Sequence, residues 1–172
     1  MNVFEAIQKR YSVRSYADRP VEPEKLERIL EAARLAPSAG NRQEWRFVVV
    51  TEQQMRRQMM AAASNQAFVG EAPVVLAACA ETDEHPMRCG QLCYPIDVAI
   101  SLEHIALQAV EEGLGTCWIG AFDEAAAKAA LGVPPEVRVV QMMTLGYPAD
   151  EPRAKSRLPL EEIVYYERWG GK

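Results

Sequence analysis

Asp97-Val98-Ala99-Ile100-Ser101-Leu102-Glu103-His104-Ile105-Ala106-Leu107-Gln108-Ala109-Val110-Glu111-Glu112 is the stretch on which the architecture turns. Asp97, Ser101, His104, Gln108 and Glu111 recur at helical spacing and form one narrow polar stripe, and nearly everything else in the segment is apolar. A helix of this kind must be covered around most of its circumference. In a chain of 172 residues it lies either at the centre of the fold or at a subunit interface. Gly113 stops it, and Thr116-Cys117-Trp118-Ile119 follows as a strand ending at Gly120.

Toward the N-terminus, Asn2 and Glu5 have the spacing of a capping box, and Val3, Phe4 and Ile7 supply an apolar face for a helix over about Val3 to Lys9. A second helix starts at Pro23, carries Leu26, Ile29, Leu30 and Ala33 on one face, and is ended by Pro37. The loop Pro37-Ser38-Ala39-Gly40-Asn41-Arg42-Gln43-Glu44-Trp45 leads into a buried strand, Phe47 to Val50, then a helix over about Glu52 to Ala63. Val74 to Cys79 reads as another buried strand. Residues 82–95 have mixed polarity and two prolines and read as a loop or lid. Beyond Gly120, an Ala-rich helix over about Asp123 to Leu131 precedes a strand from Val137 to Leu145. The tail from Lys155 carries Leu158, Leu160, Ile163, Val164, Tyr165, Tyr166 and Trp169, which need a surface on their own subunit or on another. With no repeat or linker, residues 1–172 are expected to form one domain.

Composition narrows the classes. The chain is 49% hydrophobic and 25% charged, ordinary values for a globular protein, and its net charge of -5 disfavours a general nucleic-acid surface. The N-terminus has charged residues where a secretion signal needs an apolar core, and no uncharged run is long enough to span a bilayer, so a cytoplasmic protein is expected. Cys79 and Cys117 lie in apolar runs as reduced core residues. Cys89 and Cys93 lack the two further ligands a structural metal requires. No metal site is expected.

Local positive charge is another matter. Arg10-Tyr11-Ser12-Val13-Arg14 near one end and Lys155-Ser156-Arg157 near the other could close on a single phosphate, since arginine offers a planar fork of donors and a permanent charge. The same residues could equally form exposed ion pairs, each contributing about 0–1 kcal/mol. Gly113-Leu114-Gly115 follows a helix and precedes a strand, the reverse of a dinucleotide fingerprint. Ser38 lacks the glycines of a nucleophile elbow, and Cys117 has no histidine positioned beside it in sequence.

The opening helix running into Arg10-Tyr11-Ser12-Val13-Arg14, the Pro37 to Trp45 loop, Gly115-Thr116-Cys117-Trp118-Ile119-Gly120 and Lys155-Ser156-Arg157-Leu158-Pro159-Leu160 together resemble the nitroreductase family of FMN-dependent oxidoreductases, in the family's order. The resemblance implies an α+β fold of three layers, α/β/α, with a mixed central sheet, built as an intertwined homodimer with FMN at the subunit interface. It implies that Arg10, Tyr11, Ser12, Arg14, Lys155 and Arg157 hold the phosphate and ribityl chain. Pro37, Ser38, Asn41 and Gln43 would reach the flavin from the other subunit, with Asn65 at the pyrimidine ring and Ile119, Gly120 and Ala121 along the isoalloxazine. The implied activity is NAD(P)H-dependent, ping-pong reduction of nitroaromatics, quinones or similar small electron-poor acceptors, with hydride chemistry carried by FMN and no catalytic side chain. A flavin-binding or redox-sensing protein with little turnover, or a member given to dehalogenation or oxidative flavin chemistry, is the alternative. Two departures stand out: Glu44 where many members have proline, and Phe68 where some have a lysine at the flavin.

Overall fold

The computed structural model describes residues 1–171. In chain order its elements are α1 (Val3–Lys9), α2 (Pro23–Arg34), a short 3-10 turn (Ala39–Asn41), β1 (Trp45–Val50), α3 (Gln53–Ala62), α4 (Ala67–Glu71), β2 (Val74–Ala80), α5 (Cys93–Glu111), β3 (Gly115–Ile119), α6 (Glu124–Leu131), β4 (Arg138–Gly146) and α7 (Leu160–Ile163). Local chemistry sets most boundaries. Asn2 Oδ1 accepts the Glu5 N–H at 2.9 Å and Glu5 accepts the Asn2 N–H at 3.2 Å, closing the capping box of α1. Asp123 caps α6 at 2.9 Å, and Gly132, at φ 65°, ends it in the left-handed region. The long helix begins at Cys93, four residues before Asp97. Pro95 does not prevent this, because first-turn N–H groups have no partner inside the helix.

The strands lie in the order β1-β2-β4-β3. All three ladders are antiparallel, with Val48 opposite Ala77, Ala77 opposite Met142 and Cys117 opposite Thr144. A mixed sheet therefore needs a strand beyond these four; the parallel pairing in the described chain is the isolated bridge between Ser12 and Thr116. β2 is buried along its whole length, and its alternation divides two cores. Val74, Leu76, Ala78 and Ala80 face Ile29 of α2 and Leu102 and Ile105 of α5. Val75, Ala77 and Cys79 face Met59 of α3 and Ala127 of α6. Two helical layers thus enclose one sheet, giving the three-layer α+β arrangement.

α5 is the central helix of the first layer. Its polar stripe is not a wet face: Asp97 and Ser101 are buried, Ser101 Oγ donates to the Val98 carbonyl at 2.8 Å, and His104 Nδ1 lies 3.1 Å from the Ala32 carbonyl of α2. Asp97 and His104 thus hold backbone of neighbouring segments, whereas Glu111 at the far end of the stripe is exposed. No described helix is long and apolar enough to cross a membrane.

One carboxylate ties the second layer to the sheet. Glu124 accepts from Arg138 Nε at 2.9 Å and from the Val139 N–H at 2.9 Å, and the Arg138 hydrogen bond in the main holds its pKa down to about 2 from 4.5. A depressed folded-state pKa means stabilisation present above pH 4.5 and lost as pH falls toward 2. Glu124→Gln is expected to flatten the fall of the urea midpoint across that window, measured against wild type at the same pH values.

Candidate functional site

The site begins with a close approach of two backbones. Val13 donates its N–H to the Thr116 carbonyl at 3.0 Å and is fully buried, lying directly over Gly115, where any Cβ would collide with Val13 Cγ2. Extended alternation then turns Ser12 and Arg14 away from the core. Farther along, Ala149 N–H donates to the Ser15 carbonyl and Ala17 N–H to the Tyr147 carbonyl, each at 2.9 Å. These bonds fasten the N-terminal segment to the chain leaving β4 and open a cleft of about 310 Å³ between residues 10–14 and 150–157.

Arg10, Tyr11, Ser12, Arg14, Lys155 and Arg157 all line this cleft, so the two cationic segments read from the sequence meet in one place. Arg153 joins them, against the acids Asp150 and Glu151. Arg10 Nε is 3.7 Å from Glu103 Oε1, whereas Arg14 and Arg153 have no acidic partner among the described residues. Lys155 donates to the Gln8 carbonyl. Its pKa is held below the usual lysine range by loss of water and by the nearby Arg10 and Arg157 charges. Cations that repel one another across a cleft suit an anion that can receive them all. Tyr11 O–H donates to the Asp150 carbonyl at 2.8 Å and to Oδ1 at 3.2 Å; burial and the Asp150 charge push its pKa up to about 12, so the phenol stays neutral. Cys117 is buried, and burial raises its thiol pKa against the opposing effects of Arg14 and a Ser12 hydrogen bond, which leaves no accessible nucleophile.

β3 leads from this cleft to a second corner. It lies at the sheet edge and runs about 10 Å from the Ser12 bridge at Thr116 to Ile119. Gly120 and Ala121 follow, both exposed, and a Cβ on Gly120 would have only Gln141 Nε2 near it, at 4.0 Å. Bare backbone is thus open to an outside group. Asn65, in the left-handed region at φ 57°, belongs to the same corner, because the adjacent Gln66 reaches the Ala121 carbonyl at 3.3 Å. Phe68 is half-buried against apolar neighbours including Val69 and Met59, so this corner carries no cation there.

Pro37, Ser38, Asn41 and Gln43 do not line the cleft. Their loop is tightly built: Gly40, Asn41 and Gln43 have φ of 56°, 56° and 52°, Ser38 Oγ accepts the Gln43 N–H at 3.0 Å, and both Asp97 oxygens accept the Ala39 N–H at 3.1 and 3.2 Å. Glu44 is buried with Oε1 2.9 Å from Arg42 Nη2, and its Oε2 has no partner among the described residues. The expected site residues therefore fall into a cationic cleft, a backbone-lined corner, and a separate loop.

Asp150, Arg153 and Gln66 were missed in the sequence. Arg153 had a signal, since Arg153, Lys155 and Arg157 alternate and share one side of an extended chain. Asp150 and Gln66 had none, because their roles come from contacts distant in sequence.

The sequence profile of the nitroreductase family matches residues 7–65 and 54–147. An NADH dehydrogenase from Thermus thermophilus is 34% identical over 189 aligned positions, covering 92% of each chain. The crystal structure of a nitroreductase family protein from Clostridium difficile 630 superposes with a TM-score of 0.86 at 35% identity, over 98% of this chain and 99% of that one. An NADPH:FMN oxidoreductase from Vibrio harveyi, complexed with NAD+, superposes with a TM-score of 0.88 at 27% identity, over 98% of this chain and 78% of that one. A family profile covering most of the sequence, and relatives of the same layered fold aligned along nearly all of it, establish that this chain belongs to the nitroreductase family.

Proposed function

We propose that this chain is an NAD(P)H-dependent oxidoreductase that binds FMN and reduces nitroaromatics, quinones or similar small electron-poor acceptors in a ping-pong order. The observation that carries the reading is the cleft in which Arg10, Arg14, Lys155 and Arg157 converge beside the Ser12 hydroxyl. Those donors fit a phosphate monoester, whose charge relieves their mutual repulsion and accepts the guanidinium forks. When bound, FMN supplies the hydride chemistry, accepting from reduced nicotinamide and delivering to the acceptor.

The chain's own groups hold and tune it. From the phosphate cleft the edge strand β3 leads to Ile119, Gly120 and Ala121, whose open backbone can lie against a flat ring, with Asn65 at the pyrimidine end. Amide donors there stabilise negative charge gathering on that side of the ring. Neither His85 nor His104 lines the cleft, and His104 is engaged at the Ala32 carbonyl. Without a lysine at Phe68, the corner is less positive, which favours a lower potential than a lysine-bearing site would have.

The active form is a homodimer, with Pro37, Ser38, Asn41 and Gln43 of a second copy closing over the ring. Two features support this: the loop stands apart from its own cleft, and the chain exposes Phe4, Leu158, Leu160, Ile163, Tyr166 and Trp169, the last at 91%. Exposed apolar area on that scale marks an interaction surface. Residues 1–172 act as one FMN-binding unit within each copy.

The test is anaerobic. Purified protein loaded with FMN should bleach on addition of NADH or NADPH and regain its yellow colour with a nitroaromatic or quinone, and initial rates at varied donor should give parallel double-reciprocal lines. Protein that takes up no FMN refutes the reading. FMN that binds without bleaching favours a sensor, and a sedimenting monomer that keeps its FMN contradicts the shared site.

A further inference from the structure

We infer that Asp150 is a positioning residue for the anion cleft, locking the Arg10–Arg14 segment into its binding shape from the chain that leaves β4. This rests on the FMN reading above. Asp150 Oδ2 accepts the Arg14 N–H at 3.0 Å, Oδ1 accepts the Tyr11 O–H at 3.2 Å, and its backbone carbonyl accepts the same phenol at 2.8 Å. The three bonds grip the chain on either side of Ser12 and Val13, the residues that cross over Gly115 and Thr116.

Main-chain pairing does part of this work, through Val13 N–H and the Thr116 carbonyl, but the Arg14 N–H is left to a side chain. Tyr16 bridges Pro148 and Ala149 N–H donates to the Ser15 carbonyl, but the Arg14 N–H is met by the Asp150 side chain, and the Tyr11 phenol by that side chain and the Asp150 carbonyl. Asp150 therefore continues the pairing for one more step. Its charge alone points the other way, because a carboxylate in the wall of an anion cleft opposes the anion. The two effects predict opposite results for Asp150→Asn. That change removes the charge and keeps the size, so the Arg14 N–H loses its charge-assisted acceptor and meets at best the single amide oxygen, while the phenol keeps only the backbone carbonyl at 2.8 Å. Loss of charge by itself tightens FMN. Loss of the clamp loosens it.

The experiment titrates apo protein with FMN and with riboflavin, following flavin fluorescence, for wild type, Asp150→Asn and Tyr11→Phe. Asp150→Asn is expected to weaken FMN about 10-fold, the scale of one hydrogen bond to a charged group, and to leave riboflavin within about twofold. Tyr11→Phe, which keeps the charge and loses the phenol's bonds, is expected to weaken FMN about threefold with riboflavin again unmoved. Asp150→Asn protein that binds FMN as tightly as wild type or tighter overturns the inference, as does an equal loss for both ligands. If Asp150→Asn does not fold, an unchanged FMN preference in Tyr11→Phe overturns it. Wild-type protein with no preference for FMN over riboflavin overturns the cofactor reading and this inference with it, whereas a wild-type preference that Asp150→Asn leaves undiminished overturns the inference alone.

Discussion

Arg14→Ala is expected to raise the Kd for FMN about 10- to 150-fold and to leave that for riboflavin within about twofold, because only FMN carries the phosphate. The guanidinium lines the cleft, is exposed, and has no acidic partner among the described residues, so its removal strands no buried charge. A charge-assisted contact of this kind is worth about 1.5–3 kcal/mol, which sets the range. Arg157→Ala shifts in the same direction. Arg14→Lys recovers part of the loss, since a point charge replaces the planar fork. Paired titrations with the two flavins check the prediction, and a matching loss for both would assign these arginines to something other than the phosphate. The thermal midpoint of the apo protein should be almost unmoved.

Gly115→Ala reaches the same cleft from beneath. No unusual dihedral is involved; the added Cβ collides with Val13 Cγ2 and sits 3.0 Å from Pro148 Cγ and 3.3 Å from Val13 Cβ. Val13 is fully buried and has no room to swing aside. The segment carrying Ser12 and Arg14 must move, and overpacking of this sort costs about 1–3 kcal/mol. Urea unfolding should show that loss, together with weakened FMN binding. Gly115→Ala combined with Val13→Ala should recover part of both, as expected of two residues in direct contact. A Gly115→Ala protein with wild-type stability and FMN affinity would mean that the crossing tolerates a methyl group and does not govern the cleft.

Most of the fold was legible where one local device decided it: the Asn2–Glu5 box, Pro23 opening α2, Asp123 and Gly132 bracketing α6, and the apolar run of β2. The start of α5 was not, because Pro95 and the polar residues before it look like loop until the helix is seen to take proline in its first turn. α4 was invisible: five residues with no side-chain cap form a helix only where Val69 finds a buried place. The direction of the α5 stripe was also hidden, since Asp97 faces an amide of the 37–43 loop that lies 58 positions away in sequence. In the site, the cationic residues could be read from their types and spacing, whereas Asp150 as a clamp could not, because nothing in the sequence says which donor a lone aspartate will meet.

The crowding of Arg10, Lys155 and Arg157 has a practical side. Loss of water and then the charges of Arg10 and Arg157 hold the Lys155 pKa down, so a small oxyanion gains by settling among these cations. Apo protein kept in phosphate or sulfate buffer should melt higher than in chloride, and, on the proposed FMN reading, those ions should slow reconstitution by competing for the cleft. Purification history then governs how much yellow colour a preparation retains.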